Sequence, residues 1–505
     1  MTAVTLAIRY VSVAFNIYIN NRIGAVAMGL FTLISSVYGF ALTLATSGIS
    51  LATTKLVSEA LGGLPENQKN VSVRAIMKKS LGFSFLISFI ISLLLYFLSP
   101  AISENILKDS RTLTSLRVLS FSLVPIALSS SMSGYFIAMR KVYKNASVQI
   151  FGQAIKIFLS IYLLSAFFAT DTESACLSII IAGTLAEIIS FIIHLISFII
   201  DIRKHKSVES NIDQKENLSK KLIPITLPIA LSVYVRSALI TVEHLLIPWG
   251  LEKSGSGRDA SIAAYGTVHS IVFPLVLFPS AISSSFAGLL VPEISESAAS
   301  NDFLRIERII CRVLKTVLIY SIGVAGVMMC LSSEFGNVFF SDNSAIKYIL
   351  LVSPLIPVMY LDTSVDSILK GLGHQFYCMI INIVDSMLSV VLVWILLPQY
   401  GIMGYIITVY FTELINATLS ITKLLCVTKV KFKLFNWLIK PILAIIASTT
   451  SFCLLLNKFN IFAKSKVEIC FHIVAISIVY LLILILLKSI SPKKIKKSVY
   501  NFFKA

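Results

Sequence analysis

The sequence predicts an all-α membrane protein that crosses the bilayer fourteen times, and three observations support this fold class. Hydrophobic residues make up 56% of the 505-residue chain and charged residues only 13%, whereas a soluble domain carries about 25% charged residues. Apolar segments of helix length recur from end to end without an intervening polar domain. Because every backbone polar group inside lipid needs an internal partner, segments of about 20 apolar residues form helices.

Fourteen apolar segments are separated by polar connections, and each is long enough for one crossing. In chain order we predict helices at residues 2–19, 26–61, 77–98, 114–139, 145–168, 174–200, 222–247, 261–290, 305–331, 345–370, 376–397, 402–425, 434–456 and 467–488. Kinks or broken turns are expected at the paired prolines Pro224 and Pro228, Pro274 and Pro279, and Pro354 and Pro357.

An internal repeat relates the first six helices to the next six. The segment around Gly29 matches the segment around Gly266, 237 residues later, and a second match follows at a shift of 233 residues. The repeat also aligns Glu187 with Glu413, which we assign to the architecture of the lobes. Since each repeat has an even number of helices, both enter the membrane from the same side, as in transporters that work by rocking.

The repeat predicts two pseudo-symmetric six-helix lobes. We expect an N-lobe at residues 1–203, a cytoplasmic linker at 204–221 and a C-lobe at 222–428. Residues 429–490 add helices 13 and 14, and residues 491–505 form a basic cytoplasmic tail.

Positive charge is distributed unevenly between the two sides of the predicted membrane. Of the 43 Lys and Arg residues, 29 fall on the side that follows the second helix, nine on the opposite side and five within helices. Because cytoplasmic connections are enriched in Lys and Arg, we expect a multi-pass plasma membrane protein with both termini cytoplasmic. The net charge of +18 then reflects topology and contact with anionic lipids, and nucleic-acid binding is the weaker interpretation.

No catalytic or metal-binding spacing is apparent in the sequence. Seven cysteines are scattered without a Cys-x-x-Cys pair, so they predict neither a zinc site nor a disulfide framework and are interpreted as small apolar side chains. The predicted outer loops are short, which argues against a membrane-embedded glycosyltransferase or polymerase. We therefore predict a transporter without a cofactor or metal, and not an enzyme.

Several motifs resemble the stage V sporulation protein B group. They include Asn21-Arg22-Ile23-Gly24-Ala25, Met28-Gly29-Leu30-Phe31 and Thr241-Val242-Glu243-His244-Leu245-Leu246-Ile247-Pro248-Trp249-Gly250. That group belongs to the polysaccharide exporter branch of the multidrug, oligosaccharidyl-lipid and polysaccharide (MOP) flippase superfamily, alongside bacterial lipid II flippases. The resemblance implies two lobes around a central cavity, a lipid-linked sugar substrate and cavity arginines, one of which falls on Arg9.

Three cations inside predicted helices are candidate contacts to the pyrophosphate of such a lipid. The repeat aligns Arg9 with Arg236, and a planar guanidinium binds phosphate oxygens through paired hydrogen bonds. A charge at the bilayer centre costs roughly 2.5–3.5 kcal/mol, so it usually faces a bundle interior or an aqueous cavity. Lys156 in helix 5 is the third candidate. The alternatives are structural pairing for the arginines and snorkelling toward water for the lysine.

Three carboxylates are candidates for coupling transport to H⁺ or Na⁺ from a cavity wall. Glu243 follows Arg236 by two helical turns on the same face, and Asp362 and Asp366 form an i, i+4 pair in helix 10. The alternative role is neutralisation of the arginines, which is the favoured interpretation for Glu243.

The predicted function is a flippase that moves a polyprenyl-pyrophosphate-linked saccharide, such as a peptidoglycan precursor, from the inner to the outer leaflet by alternating access. Its expected partners are the lipid-linked oligosaccharide and anionic lipids, with cell-envelope assembly proteins as a further option, and we expect a monomer. The driving force stays open between H⁺, Na⁺ and the membrane potential. The alternatives are a MATE-type multidrug or cation antiporter and a non-transporting scaffold of envelope assembly.

Overall fold

The computed structural model describes most of the chain. The described residues are 2–63, 66–166, 171–204, 218–300, 302–339, 344–428, 430, 435–459 and 466–489. Within these ranges the chain is helical and contains no β-strand, which confirms the predicted all-α fold class.

Eighteen α-helices follow one another along the described chain. They are α1 (Thr2–Thr46), α2 (Ile49–Gly63), α3 (Glu66–Ala101), α4 (Leu113–Ala138), α5 (Val142–Ala166), α6 (Thr172–Lys204), α7 (Leu218–Lys253), α8 (Arg258–Gly266), α9 (Phe273–Leu277), α10 (Ser280–Ala299), α11 (Phe303–Cys330), α12 (Ser332–Phe339), α13 (Ser344–Val352), α14 (Ile356–Gly371), α15 (Gln375–Tyr400), α16 (Ile402–Thr428), α17 (Lys440–Phe459) and α18 (Lys466–Leu486). Short π-helical segments at Ile102–Ile106, Thr267–Val272 and Phe435–Ile439, and 3-10 segments at Ser110–Thr112 and Ser353–Leu355, lie between them.

Thirteen segments of the described chain are long and apolar enough to cross a membrane. The first, Tyr10–Ser58, has 49 residues, and at about 1.5 Å per residue it is more than twice as long as the hydrocarbon layer is thick. Gly24 interrupts it with a φ of 82° and a ψ of 167°, a conformation that glycine adopts without a steric penalty. The polytopic prediction is confirmed, whereas the count of fourteen crossings stays a prediction.

The chain forms two compact units. One contains Ala3–Phe15 and Arg22–Gly266, and the other contains Asn16–Asn21 and Thr267–Ala505. The first unit therefore includes α7 and α8, which the sequence analysis assigns to the C-lobe. The predicted lobe boundaries at residues 203 and 222 stay a prediction, and most of the linker and the whole basic tail lie outside the described residues.

Two predicted helices are broken near their prolines. The helix expected at residues 261–290 is divided into α8, a π-helical segment, α9 and α10, and Pro274 and Pro279 lie at the breaks. The helix expected at 345–370 is divided into α13, a 3-10 turn and α14 beside Pro354 and Pro357. Proline cannot donate a helical hydrogen bond and its ring displaces the preceding turn, which accounts for both breaks. By contrast, α7 stays helical through both of its predicted kink positions.

Aromatic rings and hydroxyl groups hold α2, α3, α4 and α6 together in the first unit. The ring of Tyr135 meets the rings of Phe136 and Phe198 edge to face at 5.2 and 5.1 Å between centroids. In the same bundle the hydroxyl of Thr53 lies 2.5 Å from that of Ser80, and both side chains are buried. Because hydrocarbon offers no partner for a hydroxyl, hydrogen bonds between helices satisfy these groups and join the helices.

Glycines allow α1 and α8 to cross at backbone contact. A Cβ atom on Gly266 would lie 2.7 Å from the carbonyl oxygen of Ala25 and 2.8 Å from the Cα of Gly29. A Cβ atom on Gly29 would overlap the carbonyl oxygen of Ile262. These two glycines are the equivalent positions of the internal repeat, so corresponding residues of the two repeats meet at this crossing.

A cluster of ion pairs joins the connection between α3 and α4 to the start of α8. The buried carboxylate of Asp109 accepts hydrogen bonds from Arg111 at 2.9 and 2.7 Å, and Arg111 also pairs with Asp259 at 2.9 Å. Arg258 lies 3.8 Å from Asp109 and donates to the carbonyl oxygen of Leu107. Burial opposes ionisation of Asp109, but the hydrogen bonds from Arg111 prevail and hold its pKa below the usual range.

Helix α11 is the centre of the second unit and packs against α10, α14, α17 and α18. A Cβ atom on Gly323 would lie 2.8 Å from the ring of Tyr480 in α18, and one on Gly326 would overlap Ile445 in α17. The hydroxyl of Tyr480 donates to the carbonyl oxygen of Ile319 at 2.9 Å. The two C-terminal helices, which the repeat leaves without a counterpart, therefore dock on α11 at positions where side chains are absent.

We expect the substitution Gly29→Ala to destabilise the protein by about 1–3 kcal/mol, the usual range for overpacking a close contact. The added Cβ meets backbone that cannot rotate away. The matched control is Gly39→Ala in the same helix, where nothing lies within 4 Å of the added atom, and replacement of an unobstructed helix glycine by alanine is favourable by up to about 1 kcal/mol. Thermal unfolding in detergent measures both, and equal Tm values for the two variants would contradict the crossing.

We expect Asp109→Asn to destabilise the protein by about 2 kcal/mol, because hydrogen bonds to charged groups contribute about 1.5–3 kcal/mol. Since the folded pKa of Asp109 is lowered, its contribution is complete above the unfolded value of about 3.9 and is lost as the pH falls through the folded value. The difference in Tm between wild type and variant should therefore shrink below about pH 4. The exposed Asp171 supplies the control, and Asp171→Asn should leave the Tm within about 1 °C of wild type.

Candidate functional site

The candidate site residues lie on α1, α5 and α7 in the first unit and on α14 in the second. Arg9 is a residue of α1, but its side chain lies outside the described residues. The other five candidates, Lys156, Arg236, Glu243, Asp362 and Asp366, have described side chains.

Lys156 is a residue of α5, and it interacts electrostatically with Glu187 of α6. Its Cε atom is 3.8 Å from the position that a Cβ atom on Gly183 would occupy, so the glycine lets the lysine lie against α6. Glu187 is one helical turn beyond that glycine, on the same face of α6. The local sequence thus brings a cation and a carboxylate together near the middle of two membrane-spanning helices.

Two uncharged side chains complete this polar cluster. The hydroxyl of Tyr38 in α1 lies 2.6 Å from that of Ser122 in α4, and the charge of Glu187 also acts on Tyr38. Glu187 is exposed, whereas Tyr38 and Lys156 are half-buried. The lysine therefore has an internal partner, and the cluster presents a carboxylate at its surface rather than an unpaired cation.

Arg236 is exposed on α7, within the candidate span Ala230–Lys253. In the described part of the chain it has no ion-pair partner. Glu243 follows it by seven residues, which is about 10.5 Å along a helix axis, and the neutralisation of Arg236 by Glu243 stays a prediction. Glu243 is half-buried and close enough to Tyr265 to act on it electrostatically.

The packing of α7 explains the exposure of Arg236. Three side chains of α7 form hydrogen bonds of 3.2 Å to the part of α1 that follows Gly24. Tyr234 donates to the carbonyl oxygen of Leu44, Ser237 to the hydroxyl of Thr43, and Thr241 to the carbonyl oxygen of Ser36. At about 100° of rotation per residue, these three positions share one face of α7, and Arg236 lies on the opposite face. The helix is therefore anchored on one side and presents its arginine on the other.

The two aspartates of α14 have different surroundings. Asp362 is half-buried and accepts a hydrogen bond from the amide of Asn416 in α16 at 3.3 Å. Asp366 pairs with Lys370 at 2.6 Å, one turn before the end of α14. Asp362 thus faces a neighbouring helix inside the unit, whereas Asp366 has a cation of its own helix as partner.

The structure places Lys156 near Glu187, a residue that the internal repeat assigns to the architecture of the lobes. Tyr38 and Ser122 belong to the same polar cluster. No sequence spacing predicts the proximity of Lys156 and Glu187, because Lys156 is on α5 and Glu187 is on α6. Tyr38 and Ser122 carry no charge and follow no motif. Among the residues that the structure describes, no group of three His, Cys, Asp or Glu side chains is placed to hold a metal ion.

Two family profiles match parts of the chain. The sequence profile of the polysaccharide biosynthesis protein family matches residues 1–298, and that of the MatE family matches residues 255–395. Stage V sporulation protein B of Bacillus subtilis (strain 168) is 23% identical over 510 residues, which covers 98% of this chain and 96% of that protein. Lipid II flippase MurJ of the same organism is 24% identical over 423 residues, covering 78% and 75%.

Solved structures share the fold. Lipid II flippase MurJ in its inward closed conformation superimposes with a TM-score of 0.70 at 16% identity, covering 95% of this chain and 97% of that one. An inward-facing multidrug resistance MATE family transporter of the MOP superfamily gives a TM-score of 0.65 at 12% identity, covering 86% and 100%. One of these structures is a flippase and the other a transporter, and at these identities the likeness shows a shared fold. Since the first profile covers more than half of the chain, the protein belongs to the polysaccharide biosynthesis protein family.

Proposed function

We propose that the protein carries a polyprenyl-pyrophosphate-linked saccharide from the inner to the outer leaflet. The observation that carries this proposal is the exposed Arg236 within a membrane span, without an ion-pair partner in the part of the chain that the structure describes. An intramembrane charge of this kind normally faces an aqueous cavity or a ligand, and a guanidinium matches phosphate oxygens better than an ammonium does. The similarity to a lipid II flippase supports the same substrate class.

In this mechanism the chain binds and shields the headgroup without covalent chemistry. Arg236, and Arg9 at the equivalent position of the repeat, hold the pyrophosphate while the lipid tail stays in the bilayer. Lys156 interacts electrostatically with Glu187, so we assign it in this proposal to balancing the charge of the polar cluster of the first unit. Outward movement of negative charge across an inside-negative membrane is favoured by about 2.3 kcal/mol per charge per 100 mV, so the membrane potential contributes to export.

Coupling to H⁺ or Na⁺ is assigned in this proposal to Glu243 and Asp362. Both are half-buried carboxylates inside membrane spans, where gain or loss of a cation changes the local charge. Asp366 already has Lys370 as its partner, so it is the weaker candidate of the three.

Export of an organic cation is the second candidate function. The observation that favours it is the MatE profile, which matches residues 255–395. The two functions differ in the sign of the transported charge, so a transport assay separates them.

We expect Arg236→Ala to slow leaflet exchange about tenfold or more, because a charge-assisted hydrogen bond contributes about 1.5–3 kcal/mol and 1.4 kcal/mol corresponds to a factor of ten. Arg236→Lys should be intermediate, since it keeps the charge but loses the planar fork. The measurement follows a fluorescent polyprenyl-pyrophosphate disaccharide between the leaflets of reconstituted vesicles. Arg308→Ala is the control, because that exposed arginine bonds to the backbone of its own helix.

Wild-type vesicles decide between the two functions in the same assay. Movement of the lipid by wild type, together with loss of movement in Arg236→Ala, supports both the substrate class and the residue. If wild type moves no lipid and accumulates an organic cation instead, the flippase proposal is wrong. Unchanged transport in Arg236→Ala would remove only the assignment of the arginine.

A double-mutant cycle tests whether Lys156 serves Glu187 or the substrate. Residues in contact typically show a coupling of about 0.5–3 kcal/mol, so Lys156→Gln and Glu187→Gln should each lower the Tm, and the double variant should recover most of the loss. Its transport rate should then return to within about twofold of wild type, a difference below 0.5 kcal/mol. A double variant that regains its Tm but still transports slowly would instead assign Lys156 to the pyrophosphate.

A further inference from the structure

Two cysteines of the second unit lie side by side where α11 and α17 end. The Sγ atoms of Cys330 and Cys453 are 3.3 Å apart, although 123 positions separate the residues in sequence. Cys330 is the last residue of α11, and Cys453 lies in the last two turns of α17. The sulfurs of a disulfide are about 2.0 Å apart, so these two need to approach by about 1.3 Å, which is within reach of side-chain rotation.

Neighbouring contacts hold the helix ends around the two thiols. Glu334 in α12 and His472 in α18 are buried and pair at 2.9 Å. The imidazole of His472 also meets the ring of Phe452, the residue before Cys453, edge to face at 5.1 Å. The thiols therefore lie in a packed junction of α11, α12, α17 and α18, and their proximity follows from the packing of these helices.

The described residues at this junction do not form a metal site. A zinc site needs three or four ligands, and no group of three His, Cys, Asp or Glu side chains with suitable placement occurs among the residues that the structure covers. The geometry therefore favours a bond between the two sulfurs over a metal site.

The topology places both cysteines on the side where disulfides persist. The distribution of Lys and Arg predicts that α11 and α17 begin at the cytoplasmic side and end at the outer side. Disulfides form in extracytoplasmic compartments and are rare in the cytosol. Cys453 is exposed and Cys330 is half-buried, so an oxidant reaches Cys453 first.

We propose that Cys330 and Cys453 are an oxidation site, at which a reversible disulfide ties α17 to α11 at the outer end of the membrane. The oxidant is an extracytoplasmic thiol–disulfide oxidoreductase. The thiolate of Cys453 attacks the disulfide of the oxidant, and one oxidant sulfur leaves as a thiolate. The thiolate of Cys330 then attacks the Cys453 sulfur of the mixed disulfide and displaces the second. Two thiols lose two electrons and two protons, and the oxidant takes up both as a dithiol.

The consequence of the bond is a closed attachment of the C-terminal helix pair. Midway along α11, Lys315 donates to the carbonyl oxygen of Ser489 at 2.5 Å, just beyond the end of α18. The disulfide fixes the outer end of the same interface. Gly326 of α11 and Ile445 of α17 pack together between that end and Lys315. In the oxidised state α17 and α18 cannot separate from α11, whereas in the reduced state only non-covalent contacts hold them.

Differential alkylation of the full-length protein in cell membranes tests the site. Free thiols are blocked with light N-ethylmaleimide during denaturation, and thiols released by a reductant are then labelled with the heavy reagent and identified by mass spectrometry. We expect heavy label on Cys330 and Cys453 and light label on Cys470 and Cys426, which are exposed but have no neighbouring cysteine among the described residues. A peptide cross-linked through Cys330 and Cys453 should be present before reduction and absent after it.

Matched variants separate a specific bond from general oxidation. Cys453→Ser should transfer Cys330 to the light label, whereas Cys470→Ser should leave Cys330 heavy. Reductant should lower the Tm of wild type and leave the Tm of Cys453→Ser unchanged. Light label on both Cys330 and Cys453 in wild-type membranes, or a cross-link that forms only after addition of a chemical oxidant, would overturn the proposal. So would retention of the cross-link in a host that lacks extracytoplasmic thiol oxidoreductases.

Discussion

Hydrocarbon offers no hydrogen-bond partner, and the rest of this structure depends on how its polar groups are satisfied without water. The backbone is satisfied within helices, and many buried serines and threonines bond to the preceding turn, as Ser84 does to the carbonyl of Ser80 at 2.7 Å. Lys156 has Glu187 beside it. Arg236 differs from Lys156, because it lies midway along α7 and carries a charge that no ion pair in the described part of the protein neutralises. That imbalance is the physical reason for assigning it to a ligand.

Close helix contact is the second requirement, because in lipid the association of helices rests on packing and hydrogen bonds more than on the hydrophobic effect. The crossing of α1 and α8 meets it with Gly29 and Gly266, which are equivalent in the internal repeat. A Cβ atom at either position would overlap the backbone of the other helix, so a small residue is needed at the same position of both repeats.

Local patterns predicted the helices well, because length and hydropathy decide whether a segment spans the membrane. Proline spacing predicted the breaks around Pro279 and Pro354, since the missing N–H acts within one turn. Contacts between helices were beyond local patterns: the hydroxyls of Tyr38 and Ser122 carry no charge or periodic signal, and 84 positions separate them. The interpretation of all seven cysteines as isolated apolar side chains missed the contact between Cys330 and Cys453 for the same reason. Sequence therefore identified Arg236 as a candidate, but only packing showed which side of α7 it occupies.

The two C-terminal helices have no counterpart in the repeat, and their attachment indicates that they do more than fill space. A helix that only covers lipid-exposed surface needs no particular partner residue. Here Gly323 and Gly326 remove side chains where Tyr480 and Ile445 enter, and Tyr480 bonds to the backbone of α11. Lys315 of α11 also donates to the carbonyl oxygen of Ser489, just beyond α18. Helices α17 and α18 are therefore attached to α11 at several positions along its length. A displacement of α11 would therefore carry both C-terminal helices with it, which a helix pair that only fills space would not require.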